Sequence, residues 1–245
     1  MSHETAPEAT QPVRHRIKSF VLRQGRLSKG QKRALETYWP RFGCERGTEK
    51  RPLETLFGRT APTFLEIGFG MGHSLMAMAQ ARPDENFIGI EVHKPGVGAL
   101  LKDMGEAGVE NIRLFNDDAV EVLATTLPEN SLAGVYVFFP DPWHKKRHHK
   151  RRLIQPAFLD QLARFIQPGG ILHMATDWED YAEQMMTVAT DSPWFDNSQP
   201  SGQFTPRPDS RPLTKFEKRG QKLGHGVWDL VFVRNQSPAD ASSVQ

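Results

Sequence analysis

Cysteine is almost absent from this chain of 245 residues: Cys44 is the only one. An internal disulfide and a cysteine zinc site are therefore excluded, and a reducing cytoplasm is the expected location. Long apolar runs are also missing. None approaches the roughly 20 residues needed to span a bilayer, so no membrane anchorage is expected. The opening stretch MSHETAPEATQP has neither an apolar core nor a cleavage pattern, so no signal peptide is read there. A Gly-Lys-Ser/Thr phosphate loop is lacking too, which argues against nucleoside triphosphate chemistry.

Charge is abundant and unevenly placed. The formal net charge is only +2. Yet residues 12–59 hold 13 Lys/Arg against 4 Asp/Glu, whereas residues 60–140 hold 4 against 11. Nine consecutive residues, His144 to Arg152, are all His, Lys or Arg. Two basic segments bracketing an acidic block point to a polyanionic partner, with solvated loops as the competing reading. The polar ends, residues 1–12 and 235–245, are expected to be disordered tails.

From Thr63 onward short apolar strands alternate with amphipathic helices. TFLEIGF, NFIGIEV, NIRLFN, LAGVYVFF, GILHMAT and GVWDLVFV read as strands. Helices are expected between them, among them PAFLDQLARFI, with Pro156 at a favoured first position, and WEDYAEQMMTVA, with Trp178, Tyr181, Met185 and Val188 facing inward. QPGG, from Gln167, reads as a turn. The alternation implies a mostly parallel α/β sheet with helices on both faces, and ligands on such sheets bind beyond the carboxyl ends of the strands. The strand ends carry Glu66, Glu91, Asp117 and Asp118, Asp141 and Asp177.

FLEIGFGMGHSL places Gly68, Gly70 and Gly72 between a strand and a helix, where glycine permits a tight turn and close approach to a ligand. The third glycine comes one residue too early for a dinucleotide fingerprint, which argues against a pyrophosphate-binding turn. Glu91 stands where an acid grips ribose hydroxyls, and Asp117 and Asp118 where an acid meets an adenine amino group. A nucleoside without phosphates fits this pattern best, namely S-adenosylmethionine, with Glu66 near its amino acid end.

PDPW follows the fourth strand. Prolines restrict Phe139 and Asp141 to extended backbone and end the strand ladder, projecting Asp141 from a stiff post. Trp143 either packs inward or stacks on a base. The basic run then reads as a phosphate-contacting loop, against a solvated loop, a nuclear localisation signal or a histidine metal site. Repulsion by six neighbouring cations disfavours a metal.

VFFPDPWHKKRHHKRRL, together with FLEIGFGMG, FIGIEVH, MATDW, LTKFEKRG and the basic segment RIKSFVLRQGRLSKGQKRALE, resembles the bacterial tRNA (guanine-N7)-methyltransferase family across residues 13–234. The resemblance implies a Rossmann-like methyltransferase fold with a mostly parallel seven-stranded sheet over residues 60–234, preceded by an RNA-contacting segment, residues 13–59. It implies that Glu66, Glu91, Asp118 and Asp141 contact S-adenosylmethionine or line its pocket, with Asp141 also the catalytic residue. Lys145, Asp177, Thr214, Lys215, Phe216 and Glu217 would contact the substrate, and Arg147, His148, His149, Lys150, Arg151 and Arg152 would hold RNA. The implied reaction is methylation of a guanine in the tRNA variable loop, with no obligatory protein partner. A methyltransferase for another RNA or DNA site, and an RNA-binding scaffold without catalysis, are the alternatives.

Overall fold

A computed structural model describes residues 18–20, 25–200, 202–213, 217 and 226–236. The tail expected over 1–12, most of the one over 235–245, part of the 13–59 segment, and Thr214, Lys215 and Phe216 lie outside the described residues.

Eight strands form one sheet. They are β1 (Gly43–Cys44), β2 (Thr63–Ile67), β3 (Asn86–Ile90), β4 (Ile112–Phe115), β5 (Leu132–Phe138), β6 (Ile166–Thr176), β7 (Phe195–Asn197) and β8 (Trp228–Arg234). Their order is β1-β4-β3-β2-β5-β6-β8-β7. Pairs from β1 to β6 are parallel, and β8 runs antiparallel to both β6 and β7. Six of these strands are the ones read in the sequence; the short β1 and β7 at the two edges are not, and they bring the sheet to one more than the seven that the resemblance implies. Neither is long enough to show a period of two in the sequence.

Among the described residues seven α-helices cover the two faces: α1 (Lys29–Phe42), α2 (Leu53–Phe57), α3 (His73–Ala81), α4 (Lys94–Ala107), α5 (Ala119–Thr125), α6 (Pro156–Phe165) and α7 (Glu179–Thr190). One apolar core joins α5, α6 and α7 to the sheet through residues such as Leu123, Leu159 and Met185. The other joins α1, α3 and α4 through Phe42, Leu75 and Leu100. Helix α1 starts with a capping box, Ser28 and Gln31 satisfying each other's backbone N–H groups. It lies so close on α4 that a Cβ at Gly105 would come within 2.2 Å of the Tyr38 ring. Part of the basic segment is thus a structural layer: α1 and β1 belong to the same body as the sheet.

One local expectation is refined and another corrected. QPGG lies within β6, but it turns out of the ladder: the pairing passes from Leu132–Ile166 to Gly134–Ile171, and Gly169 takes φ 82°. Trp178 does not face inward; it is 39% exposed at the start of α7. A helix period carries the inward face back to Trp178, but that residue is the N-cap, where the chain has not yet entered the helix.

Candidate active site

From β2 the chain winds outward through β3 to β4, then returns to place β5 on the other side of β2. This reversal is the topological switch point, where a crevice opens beyond the strand ends. A cleft of about 470 Å³ lies there, lined by Gly68, Glu91, Asp117, Asp118 and Asp141 among others. Acids far apart in sequence are thereby gathered at one place.

Gly68 and Gly70 adopt φ of 74° and 58° and face open space. Only glycine takes that left-handed backbone without strain. Gly96, in the first turn of α4, lets the two elements touch: a Cβ there would lie 2.0 Å from the Gly70 carbonyl oxygen. Glu91 fastens this loop. Its Oε2 accepts from the Gly70 N–H at 2.8 Å and its Oε1 from the His93 N–H at 2.8 Å. The acid read for ribose therefore also organises the turn. Asp118 caps α5, accepting from the Val120 N–H at 3.0 Å.

Glu66 is 2% exposed at the end of β2, and its Oε2 has no hydrogen-bond partner among the described residues. Burial first, then the nearby Glu91 charge, pushes its carboxyl up to about 8. A buried, perturbed carboxyl in that state beside a cleft is a candidate ligand contact.

Asp141 is exposed beyond β5, next to the β6 end that carries Asp177, since Phe138 pairs with Ala175. Its Oδ1 accepts from the Trp143 N–H at 2.9 Å, a turn that aspartate favours. The post is stiff, but not in the expected way. Phe139 is not extended: its φ is +51°, and that of Trp143 is +48°. Each such departure costs about 1–3 kcal/mol and persists only where the surroundings overdetermine it. Here the Phe139 N–H donates to Ala175 O at 2.8 Å, and the Trp143 indole N–H donates to Ser19 O at 3.1 Å.

The basic run forms a 3₁₀ turn, Lys146–Arg151, rather than an open loop. Lys145, Lys146, Arg147 and Lys150 are exposed. Arg151 lies over the Trp143 ring at 4.1 Å. Arg152, expected on RNA, points inward and is 2% exposed. Desolvation, then the cations of Arg147, Lys145, Arg151 and Lys150, hold His148 below its ordinary value. It adds little charge at neutral pH. Among the described residues no group of three or more His, Cys, Asp and Glu is placed to hold a metal.

A family model described as "Putative methyltransferase" matches residues 60–230. A tRNA (guanine-N(7)-)-methyltransferase of Hydrogenovibrio crunogenus is 60% identical over 221 residues, covering 90% of this chain and 92% of that protein. One from Alcanivorax borkumensis is 58% identical over 232 residues, covering 95% and 97%. The chain belongs to the tRNA (guanine-N7)-methyltransferase family. A solved structure of the 16S rRNA methyltransferase KamB has the same fold, with a TM-score of 0.54 at 15% identity over 75% of this chain and 93% of that one.

Of the positions that the family resemblance marks for substrate, Lys145 and Asp177 are exposed. Glu217 is not. It is 3% exposed, with both oxygens on the Arg211 guanidinium at 2.7 and 2.8 Å. Arg211 also binds Asp229, which is paired in turn with His173 at 2.7 Å. The reason for the difference is charge balance: a fully buried guanidinium needs carboxylates around it. Sequence reasoning missed Arg211, because an arginine in a polar loop gives no sign of being buried. It also missed Trp178 as an exposed ring beside Asp177, edge-on to His144 at 4.3 Å between centroids.

Proposed function

We propose that this chain transfers the methyl group of S-adenosylmethionine to N7 of a guanine in the variable loop of tRNA. The observation that carries the reading is identity of 56–60% to relatives bearing that activity in their names, over about nine-tenths of the chain or more. The cofactor fits the cleft on physical grounds. Glu66 offers a buried, unpartnered oxygen to its ammonium group, Glu91 stands within reach of ribose hydroxyls, and the open Gly68 and Gly70 allow close approach.

When bound, S-adenosylmethionine supplies an electrophilic methyl on a sulfonium. Guanine N7 has a lone pair and no proton, so no general base is required. The protein's part is alignment of N7, methyl carbon and sulfur, worth about 7–11 kcal/mol in favourable cases. As the N7–carbon bond forms and the carbon–sulfur bond breaks, positive charge appears on the purine. Asp141, fixed by its own turn, meets that charge with a carboxylate. It acts by electrostatics and position, without taking a proton. Asp177 and Trp178 face the incoming base from the next strand end. The exposed cations of the 3₁₀ turn meet tRNA phosphates. Glu217, which follows Thr214, Lys215 and Phe216 in the chain, acts as a buried anchor through Arg211. The enzyme works in the cytoplasm without an obligatory protein partner.

The test is transfer of labelled methyl to tRNA followed by mapping of the product. The expected result is 7-methylguanosine in the variable loop. Label on another atom or another base, or tight tRNA binding without transfer, overturns the reading.

A further inference from the structure

We infer that Arg152 is a positioning residue for the methyl transfer, a buried brace that holds the Asp141 post against α7, and not a phosphate contact. The inference rests on the function proposed above. The side chain of Arg152 is 1% exposed. Its Nε donates to the Pro142 carbonyl at 2.8 Å, and Nη1 to Gln184 Oε1 at 2.6 Å. Nη2 meets the Asp180 carboxylate and His149 Nε2, the latter at 3.1 Å. The flat face of the guanidinium lies over the Tyr181 ring at 4.7 Å. These partners occupy four of the five guanidinium N–H groups, and burial of the side chain keeps the group out of a phosphate's reach.

Apart from His149, on the adjoining 3₁₀ turn, the partners fall on two elements. Pro142 is the residue after Asp141, between a strained Phe139 and a strained Trp143. Because Pro140 and Pro142 have no N–H, the post can be held there only through its carbonyls and its flanks. Asp180, Gln184 and Tyr181 lie on the first turns of α7, which begins directly after Asp177 and Trp178. Tyr181 and Gln184 are fixed in turn by the Ile154 backbone, at 3.1 and 3.2 Å. One side chain therefore couples the loop bearing Asp141 to the helix whose entry bears Asp177. A lysine has the charge but not the planar fork, so it cannot make these contacts together.

The experiment compares Arg152→Lys and Asp180→Asn with Lys150→Ala in the full chain, beside the wild type. It measures kcat, tRNA KM, melting temperature and the slope of tRNA affinity against salt. Arg152→Lys is expected to lower kcat at least about tenfold, with KM within about threefold and the salt slope unchanged. Asp180→Asn, whose side chain is 59% exposed, is expected to lower kcat in the same sense without unfolding. Lys150→Ala is expected to flatten the slope by about 0.7–0.9. Arg152→Lys with intact kcat and a flattened slope would make Arg152 a phosphate contact. A lowered melting temperature with unchanged kcat in both variants would make it merely structural. Either result overturns the brace. A wild type that fails to methylate tRNA sinks the proposed function and the brace with it, whereas an active wild type beside fully active variants sinks the brace alone.

Discussion

Two carboxylates show how environment separates residue types that look alike in sequence. Asp141 is exposed, and its proposed task is to meet charge that appears during transfer. Asp141→Asn is expected to reduce kcat by about 10² while tRNA affinity changes less than threefold, measured by single-turnover methyl transfer. Near-normal turnover would remove its electrostatic role. Glu66 is buried, and its carboxyl is raised from 4.5 to about 8. The folded protein thus holds a proton that the unfolded chain has lost between these two values. Cofactor-free stability should therefore fall as pH rises from about 4.5 to 8, by up to about 1.4 kcal/mol per pH unit. Glu66→Gln should flatten that dependence in melting experiments. If the ammonium of the cofactor takes the carboxylate form, binding should release a proton below pH 8 and strengthen about tenfold per pH unit up to it. Calorimetry in buffers of different ionisation enthalpy reads that proton directly.

At the scale of elements, the 3₁₀ turn sorts one basic run into surface and interior. Lys145, Lys146, Arg147 and Lys150 face solvent, Arg151 covers Trp143, and Arg152 is buried. Arg147→Ala should flatten the salt dependence of tRNA binding by about 0.7–0.9 and leave cofactor affinity unchanged. An unaltered slope would mean that the turn is only a solvated face. The glycine turn and α4 form a second unit, because Gly96 has no room for a side chain beside Gly70. Gly96→Ala should shift that turn and weaken cofactor binding at least tenfold, read by equilibrium dialysis. Undisturbed binding would show that the turn tolerates the movement.

Across the whole molecule, the ion cluster of Arg211, Glu217, Asp229 and His173 ties a late segment of chain to β6 and β8. Burial opposes ionisation of Asp229, but hydrogen bonds from His173 and Arg211 outweigh it and hold the carboxyl below its usual value. Its contribution to stability is present at neutral pH and is lost as acid protonates it below about pH 4. Arg211→Met leaves two buried carboxylates without their shared cation, and a loss of about 3–5 kcal/mol is expected in denaturant unfolding. A loss below about 1 kcal/mol would mean that the cluster relaxes into water.

The alternation of strands and helices, the acids at the strand ends, the glycine turn and the proline-flanked Asp141 were all legible in the sequence. Each is a local signal, set by backbone propensity, by proline and glycine geometry, or by the period of apolar residues. The tertiary structure alone decided the rest. The strand order made β2 and β5 neighbours and so brought Glu91, Asp117, Asp118 and Asp141 to one cleft, with Glu66 buried near Glu91. Packing decided which of six adjacent cations turn inward, because a guanidinium is buried only where distant residues such as Asp180 and Gln184 come to meet it. It also held Phe139 and Trp143 in backbone conformations that their own side chains disfavour. Charge and period lie along the chain, but the partners that bury a charge or hold a strained residue come from far away in it.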